Sequence, residues 1–157
     1  MKRTIALVAG GYSGEYEVSL KSADGLYGFI DKTRYDIHRV LLTRDEWSVL
    51  LADGTRVPID RNDFSYHHPD GRHVRFDFAY ITIHGTPGED GRLQGYFDML
   101  SIPYSTCGAL ASALTFNKYT CTQFLRSQGV RVSDAIRLRR GDAVRADDVV
   151  KTLGLPV

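Results

Sequence analysis

The fold is decided by one stretch of the sequence, His84-Gly85-Thr86-Pro87-Gly88-Glu89-Asp90-Gly91-Arg92-Leu93-Gln94-Gly95. The apolar run that precedes it, Phe78 to Ile83, is typical of a buried strand. Three glycines and a proline in the first eight residues of the stretch exclude a continued strand and favour tight, left-handed backbone. Leu93 to Leu100 then has helical spacing. His84 is therefore predicted where a buried strand ends, the position at which open α/β sheets bind ligands.

The beginning of the chain predicts a β-α-β unit. Arg3 to Ala9 is a continuous aliphatic run, which is typical of a central strand. A glycine-rich loop follows, then an amphipathic helix over Glu15 to Ile30 and a second strand over Tyr35 to Thr43. This order favours a parallel sheet with a right-handed crossover.

The remaining segments extend this unit and then begin another. Residues 46–77 predict an antiparallel hairpin insertion around the turn at Asp53-Gly54. The order of these elements predicts an α/β domain with a parallel sheet, after which a second domain begins and is not completed. The predicted elements after the insertion are a third parallel strand at Phe78–Ile83, a last strand at Ile102–Ser105, helices at 108–114, 116–128 and 146–153, and further strands at Val130–Leu138 and 155–157.

Composition excludes several classes of protein. The 157 residues are 43% hydrophobic and 25% charged, which is globular composition. A net charge of +1 provides no basic surface for nucleic acid and no polybasic membrane signal. No apolar run reaches the length of a membrane span, and the N-terminal run is too short for a signal peptide. We therefore expect a cytoplasmic protein that binds neither nucleic acid nor membrane.

Cysteine and histidine spacing does not predict a metal site. Cys107 and Cys121 match no metal or redox pattern, and we expect reduced structural thiols. His67, His68 and His73 lack a cysteine or acidic partner at ligand spacing, so we interpret them as solvated loop histidines.

The glycine loop after the first strand does not match a dinucleotide fingerprint. That fingerprint would need glycine at Tyr12 and Glu15, counted from Gly10. Carboxylates at Glu15 and Glu17 would repel a pyrophosphate at the helix start, whereas they suit a cation such as a substrate ammonium group. For Glu15, cation binding and stabilisation of the helix dipole remain open, and for Glu17 the dipole role is favoured. We expect Ser13 to be the N-cap.

Glu15 and His84 are predicted to converge at the carboxyl edge of the sheet. A carboxylate and an imidazole there could orient an amine and polarise or deprotonate it; the alternative is a histidine that caps its own loop. We interpret Glu89 and Asp90 as structural residues of the loop and the following helix start. Lys118, early in a helix, is either a solvated surface lysine or a phosphate contact.

Ordered motifs along the chain resemble the D-alanine–D-alanine ligase family of the ATP-grasp superfamily. The resemblance covers the whole chain apart from the hairpin insertion. The motifs are Gly10-Gly11-x-Ser13-x-Glu15-x-Glu17-Val18-Ser19, the stretch from His84 to Gly95 quoted above, Ile102-Pro103-Tyr104 and Gly108-x-x-Ala111-Ser112-Ala113-x-x-x-x-Lys118.

The resemblance implies a function and a set of site residues. Enzymes of this family use ATP and magnesium to join two D-alanines through a D-alanyl phosphate, in peptidoglycan synthesis. The implied catalytic and substrate-binding residue is Glu15, which anchors the ammonium of the first D-alanine. His84 lies in the same pocket, Ser19 supports Glu15, and Lys118 contacts the ATP phosphates.

The family's magnesium ligands and its phosphate loop have no counterpart in these residues. We therefore expect an N-terminal half that is inactive alone. The resemblance also implies a Rossmann-like substrate domain over 1–115, the beginning of the ATP-grasp central domain over 116–157, and a homodimeric enzyme. The alternatives are a ligase that takes D-lactate or D-serine as its second substrate and a non-catalytic binding module. A dinucleotide oxidoreductase is disfavoured because the glycine fingerprint fails.

Overall fold

The computed structural model describes residues 2–155 and divides the chain into two compact units, Met1–Ala113 and Leu114–Val157. None of the helices within residues 2–155 combines the length and apolar content that a bilayer crossing requires. The strands are β1 (Arg3–Gly10), β2 (Tyr35–Leu42), β3 (Trp47–Leu50), β4 (Arg56–Pro58), β5 (Tyr66–His67), β6 (His73–Val74) and β7 (Phe78–Ile81). The helices are α1 (Tyr16–Phe29), α2 (Arg92–Met99), α3 (Ala109–Phe116), α4 (Lys118–Ser127) and α5 (Ala146–Leu153).

A five-stranded sheet in the order β4-β3-β2-β1-β7 forms the centre of the first unit. β1 pairs in parallel with β2 on one side and with β7 on the other, so that Leu7 lies between Arg39 and Tyr80. β3 and β4 continue the sheet in antiparallel orientation. The predicted α/β architecture, with its β-α-β opening and hairpin insertion, is confirmed.

Helices α1 and α2 cover opposite faces of this sheet. The side chains of β1 alternate, as in any strand: Leu7 and Ala9 pack with Ala23 of α1. Val8 belongs to the core that contains Phe97 of α2 together with Phe64 of the insertion. Because β1 and β7 are parallel neighbours, the loops that lead into α1 and α2 begin at the same edge of the sheet, where both strands have their carboxyl ends.

Two predicted strands differ from the structure. The segment Ile102–Ser105 is reduced to a single parallel bridge between Tyr104 and Ala79. The predicted strand at Val130–Leu138 is wrong: the segment has no regular structure, and Arg126 contacts the Ser133 carbonyl oxygen at 3.0 Å. A strand needs a neighbour to pair its backbone groups, and within 114–155 no other strand is present.

The helical predictions in the last part of the chain are confirmed. α3, α4 and α5 form within two residues of their expected bounds. Of the strand expected at 155–157, residues 156 and 157 lie outside the described residues, and Leu155 is not in a strand.

Candidate functional site

The loop after β1 is held between the ends of its two neighbouring strands. Gly10 and Gly11 adopt φ values of 108° and 98°, which side-chain-bearing residues rarely reach. A Cβ at Gly10 would lie 2.6 Å from the carbonyl oxygen of Leu42, and one at Gly11 would lie 2.6 Å from Cγ2 of Ile83. Glycine is therefore required for the close approach of this loop to β2 and to the end of the β7 segment.

The loop after β7 is closed by its own side chains. Glu89 accepts a hydrogen bond from the Gly85 amide through Oε2 at 2.7 Å, and its own amide donates to the Gly85 carbonyl at 2.9 Å. Asp90 accepts from the Thr86 hydroxyl at 2.8 Å and from the Arg92 amide at 3.2 Å. The interpretation of Glu89 and Asp90 as loop and helix-start structure is confirmed.

Hydrogen bonds join these two loops directly. The Tyr12 amide donates to the carbonyl oxygen of Thr86 at 2.9 Å, and the Ser13 hydroxyl donates to the carbonyl oxygen of His84, also at 2.9 Å. The carboxylate of Glu15 approaches the second loop, since its Oε2 lies 3.9 Å from the position a Cβ would take on Gly85. The structure thus brings Glu15 beside the residue that follows His84 in the chain.

Glu15 occupies the N-cap position of α1 without capping the helix through its side chain. The prediction that Ser13 is the N-cap is wrong, because its hydroxyl accepts from the Glu15 amide at 3.2 Å and is directed to the second loop instead. Glu15 is exposed, and Glu17 lies in the first turn, where a carboxylate favours the helix dipole. The Glu15 carboxylate is therefore accessible to a ligand.

Ser19 lies beneath the first loop, and its side chain is 0% exposed. Its hydroxyl accepts a hydrogen bond from the Gly10 amide at 2.9 Å, and its carbonyl oxygen accepts from the Thr82 hydroxyl at 3.3 Å. Ser19 thus ties α1 to the ends of the two strands.

Lys118 lies in the second unit, as the first residue of α4. Asn117 precedes it as N-cap and accepts from the Thr120 amide at 3.0 Å. Lys118 is exposed, and a helix start together with a lysine ammonium group is a suitable environment for phosphate oxygens.

Sequence reasoning missed one buried residue beneath the second loop, Gln94. Its side chain is 0% exposed, and Nε2 donates to the Gly88 carbonyl at 2.6 Å and to the Thr106 hydroxyl at 2.9 Å. Its Oε1 is buried and has no hydrogen-bond partner among the described residues. The sequence feature that could have indicated a buried Gln94 is its position in the first turn of α2, next to the apolar Leu93, which is also buried.

The titratable side chains of residues 2–155 do not assemble a metal centre, since no group of three or more His, Cys, Asp or Glu could hold an ion. His67 and His73 are exposed and stack with ring centroids 4.6 Å apart, while His68 lies 2.9 Å from Asp70. The described residues therefore offer no ligand set for the magnesium ions that the resemblance implies.

Carboxylates and guanidinium groups both lie near these two loops, and the Arg44 guanidinium lies over the Tyr12 ring, 4.7 Å from its centroid. Glu15 and Glu89 are exposed carboxylates, whereas the nearby Arg92 is paired with Asp90 at 2.8 Å. Such an edge suits a small cation, and ligands of open α/β sheets bind at this end of the strands. Fold and loops together define an α/β domain with exposed carboxylates at the carboxyl edge of its parallel strands.

Comparison with known families names the family. A family described as "D-ala D-ala ligase N-terminus" matches residues 4–107, and the chain belongs to it. The D-alanine–D-alanine ligase of Parabacteroides distasonis is 57% identical over 157 residues, which are 100% of this chain and 47% of that protein. The chain therefore spans about half the length of the curated relatives it matches.

Solved structures of ligases share the fold. The D-alanine–D-alanine ligase of Coxiella burnetii aligns with a TM-score of 0.85 and 28% identity, over 98% of this chain and 50% of that one. The Bacillus anthracis enzyme complexed with ATP aligns with a TM-score of 0.71 and 26% identity, over 96% and 43% of the two chains.

Proposed function

We propose that this chain forms the N-terminal part of an ATP-dependent D-alanine–D-alanine ligase and carries its site for the first D-alanine. The observation that supports this most directly is the Glu15 carboxylate, which is exposed and lies beside the loop that begins at His84. A carboxylate in this position can hold the ammonium group of an amino acid by a charge-assisted hydrogen bond. We propose D-alanine as that amino acid, because the relatives of this chain are named D-alanine–D-alanine ligases.

Each predicted site residue has a role in this proposal. Glu15 binds the ammonium group and is the residue on which catalysis depends, because it orients the first substrate. His84 forms the neighbouring wall. Ser19 supports the loop from below through the Gly10 amide. Lys118 contacts a phosphate of ATP from the second unit.

The proposal also extends to the rest of the enzyme. The matched relatives are about twice as long as this chain, and we propose that the magnesium ligands and the other ATP contacts lie outside its 157 residues. The complete enzyme would be a cytoplasmic homodimer that supplies the dipeptide for peptidoglycan. The 157-residue chain alone should not form D-alanyl-D-alanine, because it lacks the charge neutralisation that phosphoryl transfer requires.

Ligand titration of the 157-residue chain tests the ammonium site. Chemical shifts of the Glu15 and Gly85 amides are followed by NMR while D-alanine is added, with D-lactate as a ligand of the same shape that lacks the ammonium group. We expect D-alanine to shift these amides and D-lactate to leave them unchanged. Glu15→Gln should weaken D-alanine binding about tenfold or more, since it removes a charged partner.

Glu17→Gln is the matched control, because Glu17 is an exposed carboxylate two residues away in the first turn of α1. It should bind D-alanine like the unmodified chain. Equal binding of D-lactate and D-alanine, or an unchanged affinity in Glu15→Gln, would contradict the proposed site.

A further inference from the structure

Ser13 makes a pair of hydrogen bonds that connect the two proposed substrate contacts. Its hydroxyl donates to the His84 carbonyl oxygen at 2.9 Å and accepts from the Glu15 amide at 3.2 Å. A serine hydroxyl has one proton to donate and lone pairs to accept, so both bonds form at once. One side chain therefore joins the backbone of Glu15 to the backbone of His84.

The two loops also pack closely against each other at Ser13. A Cβ on Gly85 would lie 3.0 Å from Cβ and 3.2 Å from Oγ of Ser13. Gly85 has a φ of 71°, which favours glycine on conformational grounds as well. The Ser13 side chain thus packs against the second loop and bonds to it, and it fills the gap between the loops.

The Glu15 carboxylate lies next to this contact. Its Oε2 lies 3.9 Å from the same Cβ position on Gly85 that Ser13 contacts. Glu15 makes no side-chain cap bond with α1, and its amide is held by Ser13. A shift of the first loop would therefore change the distance between the carboxylate and the second loop.

We infer that Ser13 is a positioning residue for the ammonium site: it sets the separation of Glu15 and His84 and acts through them without touching the substrate. This inference rests on the function proposed above. Because the Ser13 hydroxyl satisfies a donor on one loop and an acceptor on the other, its loss leaves both groups to water and loosens the site.

The first readout needs no ligand. In Ser13→Ala, the Glu15 amide should exchange with solvent faster and the carbonyl carbon of His84 should change its NMR shift, while Ser13→Thr, which keeps the hydroxyl, should restore both toward the original values. Ser127→Ala is the matched control, since Ser127 is an exposed serine of α4 whose hydroxyl donates to the Phe124 carbonyl. Unchanged Glu15 exchange and His84 shift in Ser13→Ala would overturn the inference.

The second readout is the affinity of the chain for D-alanine. Ser13→Ala should weaken it about five- to tenfold, the effect of one neutral hydrogen bond, and combining it with Glu15→Gln should add little, because Ser13 acts through Glu15. Full affinity in Ser13→Ala together with weak binding in Glu15→Gln would overturn the positioning role and leave the proposed function intact. Absence of D-alanine binding in the unmodified chain would overturn the proposed function, and the positioning role with it.

Discussion

Replacing Gln94 by glutamate should destabilise the first unit in a pH-dependent way. The amide nitrogen of Gln94 donates to the Gly88 carbonyl at 2.6 Å and to the Thr106 hydroxyl at 2.9 Å, in a fully buried position. A carboxylate has no proton to donate, so in Gln94→Glu an ionised oxygen would face the Gly88 carbonyl oxygen. The least costly response is protonation of the new side chain, which restores one donor.

The expected magnitude follows from the cost of that protonation. For a glutamate with an unfolded pKa of about 4.3, protonation costs about 4 kcal/mol at pH 7 and about 1 kcal/mol at pH 5. Burial raises the folded pKa above the unfolded value, so the folded state of this variant is favoured below about pH 4 and loses stability as the pH rises. Gln94→Met cannot donate at any pH, and its loss of about 2 kcal/mol, for two hydrogen bonds, should not vary with pH.

Urea unfolding at pH 5 and pH 7 measures both effects. The single tryptophan of the chain, Trp47, contacts Phe64 and Tyr96 in the core of the first unit and reports its unfolding by fluorescence. Gln128→Glu is the control, because it adds the same charge at an exposed position in the second unit. An equal loss of stability at both pH values in Gln94→Glu, or no loss at all, would refute the assignment of Gln94 as a buried donor to the loop.

Substitutions at Gly88 and Tyr96 probe the loop and the core, and Gly95→Ala is the control for Gly88→Ala. Gly88→Ala should destabilise the first unit by about 1–3 kcal/mol in urea unfolding, because a Cβ there would lie 2.6 Å from Cβ of Ile83. Gly95 lies in α2 with open space around it, so Gly95→Ala should instead stabilise the unit by up to about 1 kcal/mol. Equal effects of the two substitutions would contradict the packing of the loop. Burial, reinforced by the charges of Asp63 and Asp60, raises the pKa of Tyr96 to about 12 from a usual value near 10. The neutral phenol should therefore contribute roughly 2–3 kcal/mol to the free energy of unfolding below pH 10, and this contribution is lost as the pH rises through 12. Tyr96→Phe should flatten that alkaline decline in unfolding free energy, and an unchanged pH dependence would show that Tyr96 does not titrate in this way.

Local patterns in the sequence were sufficient for most of the first unit. The aliphatic run of β1 predicts a central strand, because a strand buried on both faces is apolar without alternation, and β1 lies between β2 and β7 in the sheet. The apolar run that ends before His84 predicts the third parallel strand, which is β7. Glycines after each run predict the two loops, and the parallel order places them at one edge. The approach of the loop that carries Glu15 to the loop that begins at His84 follows from these local patterns.

Predictions failed where a residue's state depends on a distant partner. The alternation of Val130–Leu138 is compatible with a strand, but no strand exists within 114–155 to pair with it. Ser13 stands two residues before an N-cap position, where its hydroxyl could also have served the helix; it bonds instead to a carbonyl oxygen 71 residues away.

The sequence by itself determined the β-α-β opening, the glycine loops, the helices and the family to which the chain belongs, because each of these follows from local periodicity and motif spacing. Only the tertiary structure decided which side chains hold those loops. Ser13 reaches His84, and Gln94 lies beneath Gly88 with its amide shared with Thr106. The physical reason is that a buried polar group must be satisfied by whichever partner the packed chain brings within hydrogen-bond distance, and that partner cannot be known until the sheet has assembled.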